Sequence, residues 1–311
     1  MRIIIGDVHG CLHELERLVR NIGYRRERDS LVMVGDLIDR GPDPIGVVAY
    51  AMELGATLVR GNHEDAALRW LDFEERVRNT PGFVNPMEPP PPPPAVHKAA
   101  APRELTPEQL ELRRRRQEVR MARGETLVHP QRPAPRPTKI IPEFRKAQWR
   151  AFSAEQLQWL RGSAPYLDLT SKWYVVHAGL EPRPFGEQDP KIMMRVRFIN
   201  PATGHMRGYD EGSVDQPKGT VTWQEVWQGP ENLIYGHIVH SRRNPRIDTR
   251  ETPNGIIRCY GIDTGCVYGG RLTAIVFEDE EMRAEPTFVQ VDAERAYVAL
   301  PGPIPDEVPV G

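Results

Sequence analysis

Seven short apolar runs punctuate the chain: Arg2 to Ile5, Leu31 to Val34, Thr57 to Val59, Trp173 to Val176, Leu233 to Tyr235, Ile256 to Tyr260 and Leu272 to Phe277. Their aliphatic and β-branched content, and the glycine and charge at their ends, mark them as short buried strands. Between the first two, Leu12, Leu15, Leu18, Val19 and Ile22 recur at helical spacing and predict one face of an amphipathic helix. Pro44 to Leu54 predicts a second helix before the third strand. Strand, helix, strand, helix, strand at this spacing implies βαβ units with a parallel component, hence an α/β fold. The last third is richer in strands and turn glycines, which predicts a mixed, two-layered sheet system flanked by helices. No internal repeat is visible.

Proline disturbs this pattern in one place. Roughly half of the 31 prolines lie between Pro81 and Pro142, including the run Pro89 to Pro94, which no helix interior or central strand accepts. One helical island interrupts the stretch, TPEQLELRRRRQEVR. Thr106 suits an N-cap, Pro107 the first helical position and Gln109 a capping box. It has too few apolar residues to bury a face. The expectation is therefore a single domain over residues 1–311, interrupted at about 81–142 by a Pro-rich, basic insertion. RNA contact through Arg113 to Arg116 is a minor possibility, because no aromatic residue interleaves with the arginines.

Composition narrows the class. Of the 311 residues 39% are hydrophobic and the formal net charge is -2, which indicates neither a membrane protein nor a globally basic nucleic-acid binder. No apolar run approaches the ~20 residues that span a bilayer. A strand begins at once, leaving no room for a signal peptide, and Cys11, Cys259 and Cys266 have no CxxC spacing. A cytoplasmic protein is expected.

The chemistry is concentrated where strands stop. The first runs into GDVHG, the second into GDLIDRG, the third into RGNHED, and two later ones into VVHAG and IYGH. Polar groups at the carboxyl ends of neighbouring strands converge on one crevice in open α/β sheets. These endings offer Asp7, His9, Asp36, Asn62, His177 and His237 to a common point. Carboxylate, imidazole and amide oxygen suit first-row divalent ions, and six donors suit two ions better than one. Asp36 is the natural bridge, with Asp7 and His9 on one ion and Asn62, His177 and His237 on the other. A water bridging such a pair becomes a nucleophile toward phosphorus near neutral pH. Arg40 and Arg60 adjoin these turns and match two phosphate oxygens, since a planar guanidinium binds phosphate bidentately. His63 is placed to protonate a leaving oxygen, and Asp39 to accept from His63 and raise its pKa. His240 is a less favoured stand-in for His237.

GDxHG, GDxxDRG and GNHE, followed by HAG and GH, resemble the phosphoprotein-phosphatase-type metallophosphoesterases over roughly residues 1–75 and 165–280. The resemblance implies a β-sandwich of mixed sheets flanked by helices, with a dinuclear metal site at strand ends. Carried over motif by motif, it assigns the same six ligands, the acid pair His63 with Asp39, and phosphate contacts at Arg40 and Arg60. RVRFINPATGHMR and PNGIIRCYGIDTGCVYGGRLTA resemble the symmetrical diadenosine tetraphosphatases and the ApaH-like phosphatases grouped with them. Arg195, or Arg197, is implied as a third phosphate contact. The resemblance implies two divalent ions, manganese first and iron, cobalt, nickel or zinc as alternatives, and diadenosine tetraphosphate as substrate. The tetraphosphatases often carry GDLVARG, whereas Asp39 makes GDLIDRG, as in protein phosphatases. A phosphoprotein is therefore the alternative substrate.

Overall fold

The computed structural model describes residues 1–88, 140–207 and 216–301. The chain forms two units, Met1–Asp72 with Glu143–Gly311, and Phe73–Pro142. In the first, one five-stranded sheet has the order β13 (Thr287–Asp292), β12 (Arg271–Phe277), β1 (Arg2–Ile5), β2 (Ser30–Met33), β3 (Thr57–Leu58). β1, β2 and β3 run parallel, and β12 and β13 antiparallel beside them. A second has the order β10 (Arg246–Thr252), β11 (Gly255–Gly261), β9 (Asn232–Tyr235), β5 (Trp173–Val176), β4 (Tyr166–Asp168). Its three central strands are parallel and its edges antiparallel. A small antiparallel sheet joins β6 (Phe198–Asn200) to β7 (His205–Met206) and β8 (Val221–Thr222).

The pleat explains the layering. Ile4, Val32 and Val34 from the first sheet pack in one cluster with Trp173, Val175, Ile234 and Tyr260 from the second. The alternate residues Val176, Leu233, Tyr235 and Cys259 face outward onto Trp223, Trp227, Met193 and Ile199. Period-two alternation in β5 and β9 thus serves two cores at once, which is why those strands read as continuous apolar runs. The architecture is a mixed α/β sandwich flanked by helices.

Local chemistry accounts for the helices. α1 (Leu12–Ile22) buries Leu15, Leu18 and Val19 against β12 and β13. It ends at Gly23 with φ 69°, where the Gly23 and Tyr24 N–H groups close back on Arg20 and Val19 carbonyls. α2 (Pro44–Glu53) starts where the Asp43 side chain accepts the Gly46 N–H at 2.7 Å and Pro44 occupies the first position. α3 (Asn62–Asn79) follows β3, and α4 (Glu143–Arg150) and α5 (Ala154–Arg161) precede β4. Two short helices complete the set, α6 (Pro190–Met193) and α7 (Trp223–Val226).

All seven predicted runs are strands, with ends moved by a residue or so. The strands that apolar patterning overlooks are β4, β6, β7, β8, β10 and β13, the edges and the small sheet. β10 shows why: it alternates half-buried and exposed positions and carries Arg246, Asp248 and Arg250, the charge that protects an edge. In the Pro-rich stretch, the helix expected from Thr106 and the Arg113 to Arg116 cluster lie outside the described residues. Cys11, Cys259 and Cys266 are buried and free. No helix among the described residues is long and apolar enough to cross a membrane.

Candidate metal centre

Three parallel strands of the first sheet and two of the second stop at one place. β1 delivers Asp7 and His9, β2 delivers Asp36, β3 leads into Asn62 at the start of α3, β5 delivers His177 and β9 delivers His237. All six side chains are buried, His177 completely. The turns are knitted together by the His9 N–H on the Asp36 carbonyl at 2.8 Å and the Gly236 N–H on the His177 carbonyl at 2.8 Å. The backbone is held in an unusual form here. Apart from Met282, every non-glycine residue with positive φ among the described residues is one of the predicted site residues: His9, Asp36, Asp39, Arg40 and His237. Such conformations persist only where the surrounding structure over-determines them, and they concentrate at functional sites. Two glycines permit the close approach. A Cβ on Gly61 would lie 2.2 Å from Asp36 Oδ1, and one on Gly236 would lie 1.9 Å from Asp7 Oδ1.

Asp36 is the centre of the geometry. Its Oδ2 lies 3.6 Å from His9 Nε2, 3.4 Å from His177 Nε2 and 3.9 Å from His63 Nε2. It belongs to both three-residue groups of converging donor atoms in this region, His9–Asp36–His63 and Asp36–His177–His237. His9 and His177 point their Nδ1 atoms at the Ile38 and Val34 carbonyls, each at 2.9 Å, which fixes their rings and leaves Nε2 facing inward. Asn62 Oδ1 lies 3.0 Å from His177 Nε2, and Asp7 accepts the His237 N–H at 3.1 Å.

The charges explain what such a group binds. Burial, with Asp263 and Asp36 nearby, pushes the Asp7 carboxyl well above the usual range. Burial likewise raises Asp263, to about 6, and Glu64, to about 7. Burial also disfavours charge on His177, yet Asp36, Asp7 and Glu64 outweigh it and raise the ring to about 9. Burial, followed by Arg40 and by Arg197 respectively, pushes His9 and His237 well below the ordinary imidazole value, so both favour the neutral, metal-binding form. Buried carboxylates in excess of charge partners, beside neutral imidazoles with fixed tautomers, fit divalent cations.

A second group adjoins this one. His63 Nδ1 lies 2.6 Å from Asp39 Oδ2, the predicted pair. The structure adds two partners from α4: Arg145, paired with Asp39 Oδ2 and 3.0 Å from His63 Nδ1, and Trp149, which donates its indole N–H to Asp39 Oδ1 at 2.7 Å. Burial opposes charge on Asp39, but His63 and Arg145 hold its carboxyl well below the usual range. Asp39 raises His63 as expected, yet burial and Arg40 outweigh it, so the ring sits below its ordinary value. That is a correction to the predicted upward shift: desolvation of the buried imidazole, with Arg40 beside it, exceeds the combined pull of Asp36 and Asp39.

The arginines separate. Arg40, at the solvent-exposed rim, brings Nη1 within 2.6 Å of His9 Nε2 and lies 5.6 Å over the Tyr268 ring. Arg60 uses Nε and Nη2 on Ser163 and the Arg161 carbonyl, which leaves Nη1. Arg195 pairs with Asp65, whereas Arg197 places Nε 3.2 Å from His237 Nε2. Of the two alternatives it is Arg197 that faces the cluster. His240 stands apart from it, against Tyr235 and Arg246, and burial lowers its ring to about 3.

Sequence reasoning passed over Glu64, Asp263, Arg145 and Trp149. Glu64 sits in RGNHED, a strand ending already singled out, and Asp263 follows β11 in GIDTG, an ending to which the same rule applies. The last two had no signal, being separated from Asp39 by the whole Pro-rich stretch. Glu64 acts as a clamp: its carboxylate accepts N–H groups from Asp36 and Leu37 at 2.8 Å, Gly61 at 3.0 Å and Ile38 at 3.3 Å. Glu64→Gln sets an NH2 group against two of these donors. It is expected to cost roughly 2–4 kcal/mol of stability, read as a lowered urea midpoint. An unchanged midpoint would show that the clamp carries no load.

Comparison with known proteins agrees with this geometry. A symmetrical bis(5'-nucleosyl)-tetraphosphatase of Erwinia tasmaniensis is 26% identical over 308 residues, covering 91% of this chain and 96% of that protein. An asymmetrical bis(5'-nucleosyl)-tetraphosphatase of Anoxybacillus flavithermus is 26% identical over 306 residues, covering 94% and 96%. Serine/threonine-protein phosphatase 1 of Salmonella typhimurium is 49% identical, but over only 65 residues, 21% of this chain and 30% of its own. The family model of the calcineurin-like phosphoesterases matches residues 2–248 and so embraces all six convergent donors; this chain belongs to the calcineurin-like phosphoesterases.

Proposed function

We propose that the protein hydrolyses dinucleoside polyphosphates, with diadenosine tetraphosphate cleaved to two ADP as the leading case. The observation that supports it is the extent of likeness: similarity to tetraphosphatases runs through nine-tenths of the chain. In this reading Asp7, His9 and Asp36 hold one divalent ion, and Asp36, Asn62, His177 and His237 a second, with manganese the first choice for assay. When bound, the ions supply Lewis acidity and a nucleophile active near neutral pH.

The remaining work belongs to the protein's own groups. Arg40 and Arg197 lie beside His9 and His237, where they can hold the oxygens of the phosphate under attack, and Arg60 retains Nη1 for the same purpose. Arg195 is engaged by Asp65 and takes the weakest claim of the four. His63 keeps Nδ1 on Asp39 and turns Nε2 toward Asp36, so Nε2 carries the proton to the departing phosphate oxygen as the P–O bond breaks. Trp149 and Arg145 hold Asp39, and Asp39 holds the ring.

Asp39 also supports a second reading, a protein phosphatase using the same centre, in line with the 65-residue likeness to the Salmonella typhimurium enzyme. Turnover of diadenosine tetraphosphate and of a phosphopeptide in one manganese buffer separates them. The ratio of kcat/KM is expected to favour the dinucleotide by about tenfold or more, a modest demand on substrate contacts. A ratio favouring the peptide would make the second reading the correct one, and product analysis distinguishes ADP from ATP plus AMP.

A further inference from the structure

A cavity of about 760 Å³ opens between the loop after β9 and the ends of β12 and β13. None of the six predicted metal ligands lines it. Its volume is that of a small-molecule site. Arg242, Arg243 and Arg271 face it with a single carboxylate, Asp292, which pairs with Arg271 Nε at 2.8 Å. Three guanidinium groups against one carboxylate make a positive pocket in a chain whose net charge is -2.

The wall is rigid, and two of its side chains are uncommitted. The Arg243 carbonyl accepts from Arg271 Nη1 at 3.2 Å and Gln290 Nε2 at 3.0 Å. Ser241 Oγ accepts the Arg243 and Asn244 N–H groups at 3.1 and 3.3 Å. A Cβ on Gly270 would lie 2.1 Å from the Thr264 carbonyl and 3.0 Å from Arg242 Cβ, so the two loops are in close contact. Among the described residues no partner reaches the Arg243 guanidinium or the Asn244 amide. Both side chains are exposed, and the fixed backbone sets where they start from, so a ligand has to immobilise only the side chains themselves.

We infer that this cavity is a subsite for a phosphate group carried by a nucleotide. The planar guanidinium of Arg243 matches phosphate in two-point fashion, Arg242 adds charge, and the volume accommodates an attached nucleoside. That phosphate belongs either to the far half of the substrate or to a free nucleotide. Only the substrate arm rests on the function proposed above. The loop begins directly after His237, Ser241 being four residues on, so a ligand here borders the segment that carries a predicted metal ligand.

Calorimetric titration of the full chain with ADP and with inorganic tripolyphosphate, in excess EDTA, tests the subsite without turnover. The wild-type chain binds both, and Arg243→Gln weakens binding about tenfold or more, the worth of a charge-assisted contact. Arg243→Lys falls between, because it keeps the charge and loses the fork. A thermal melt matching the wild type verifies that the variants are folded. Absence of ADP binding by the wild-type chain, or equal binding by Arg243→Gln, overturns the subsite. To identify the source, KM for diadenosine tetraphosphate is compared with KM for p-nitrophenyl phosphate. A ratio raised about tenfold in Arg243→Gln assigns the cavity to the substrate; a constant ratio alongside lost ADP binding assigns it to a free nucleotide. A chain that binds ADP through Arg243 but never cleaves diadenosine tetraphosphate overturns the proposed function and leaves the subsite standing.

Discussion

Asp36→Asn is expected to abolish turnover and to remove metal, while leaving the protein folded. Asp36 is the one carboxylate shared by both groups of convergent donors, with His9, His177 and His63 all within 3.9 Å of its Oδ2. Asparagine keeps the shape and tolerates the positive φ of 52° at this position, so the turn survives. It also keeps an oxygen to accept the His63 N–H, which Asp36 Oδ1 receives at 3.0 Å. What it loses is the negative charge that, in the proposed function, two cations would share. Removing a mere partner of a ligand costs about 10–100-fold in metal affinity or activity. A bridging ligand should exceed that range at both ions. Metal content by atomic absorption, beside a far-UV spectrum and a thermal midpoint, reads the result. Two ions retained per chain would show that Asp36 is not the bridge.

The second large effect is on His63. His63→Asn is expected to lower kcat by about 10²–10⁴-fold, the range of a general acid, with metal content preserved. The loss should depend on the leaving group. A leaving group that departs without a proton, such as dinitrophenolate, needs no acid, whereas a nucleotide phosphate or an alkoxide does. The ratio of wild-type to variant kcat should therefore shrink for dinitrophenyl phosphate and grow for phenyl phosphate. Equal losses on both substrates would give His63 a structural task. The pair His63–Asp39 is set in a deeper frame, because Trp149 and Arg145 take the remaining faces of Asp39. The Arg145 guanidinium also lies 4.8 Å over the Trp149 ring, so α4 presents both as one unit.

Much of this centre was legible in the linear chain, for a local reason. A buried strand must be apolar, so a polar residue directly after it stands out, and β1, β2, β3, β5 and β9 each end in one. Parallel strands in one sheet have their carboxyl ends on one side. Pairing therefore gathers Asp7, His9, Asp36 and Asn62 at one edge of the first sheet and His177 and His237 at one edge of the second, and the packing of the two sheets brings these edges together. Glycines at these ends carry the same message, since Gly61 and Gly236 leave no room for a Cβ. The edge strands were harder to see. β10 alternates half-buried and exposed positions and carries four charged residues, and β13 buries only Val291, so neither gives the apolar run that marks a buried strand.

The sequence by itself determined the α/β sandwich, the five strand endings and the convergence of Asp7, His9, Asp36, Asn62, His177 and His237, because strand periodicity and turn chemistry are local and leave a mark every few residues. Tertiary structure alone decided which arginines face the centre. Arg195 and Arg197 are two positions apart, yet one turns to Asp65 and the other to His237. It decided that Arg145 and Trp149 hold Asp39, that burial outweighs Asp39 in setting the charge of His63, and that Arg243 stands in a cavity. Each of these depends on which distant surfaces touch and how much water they exclude, and no local pattern encodes that.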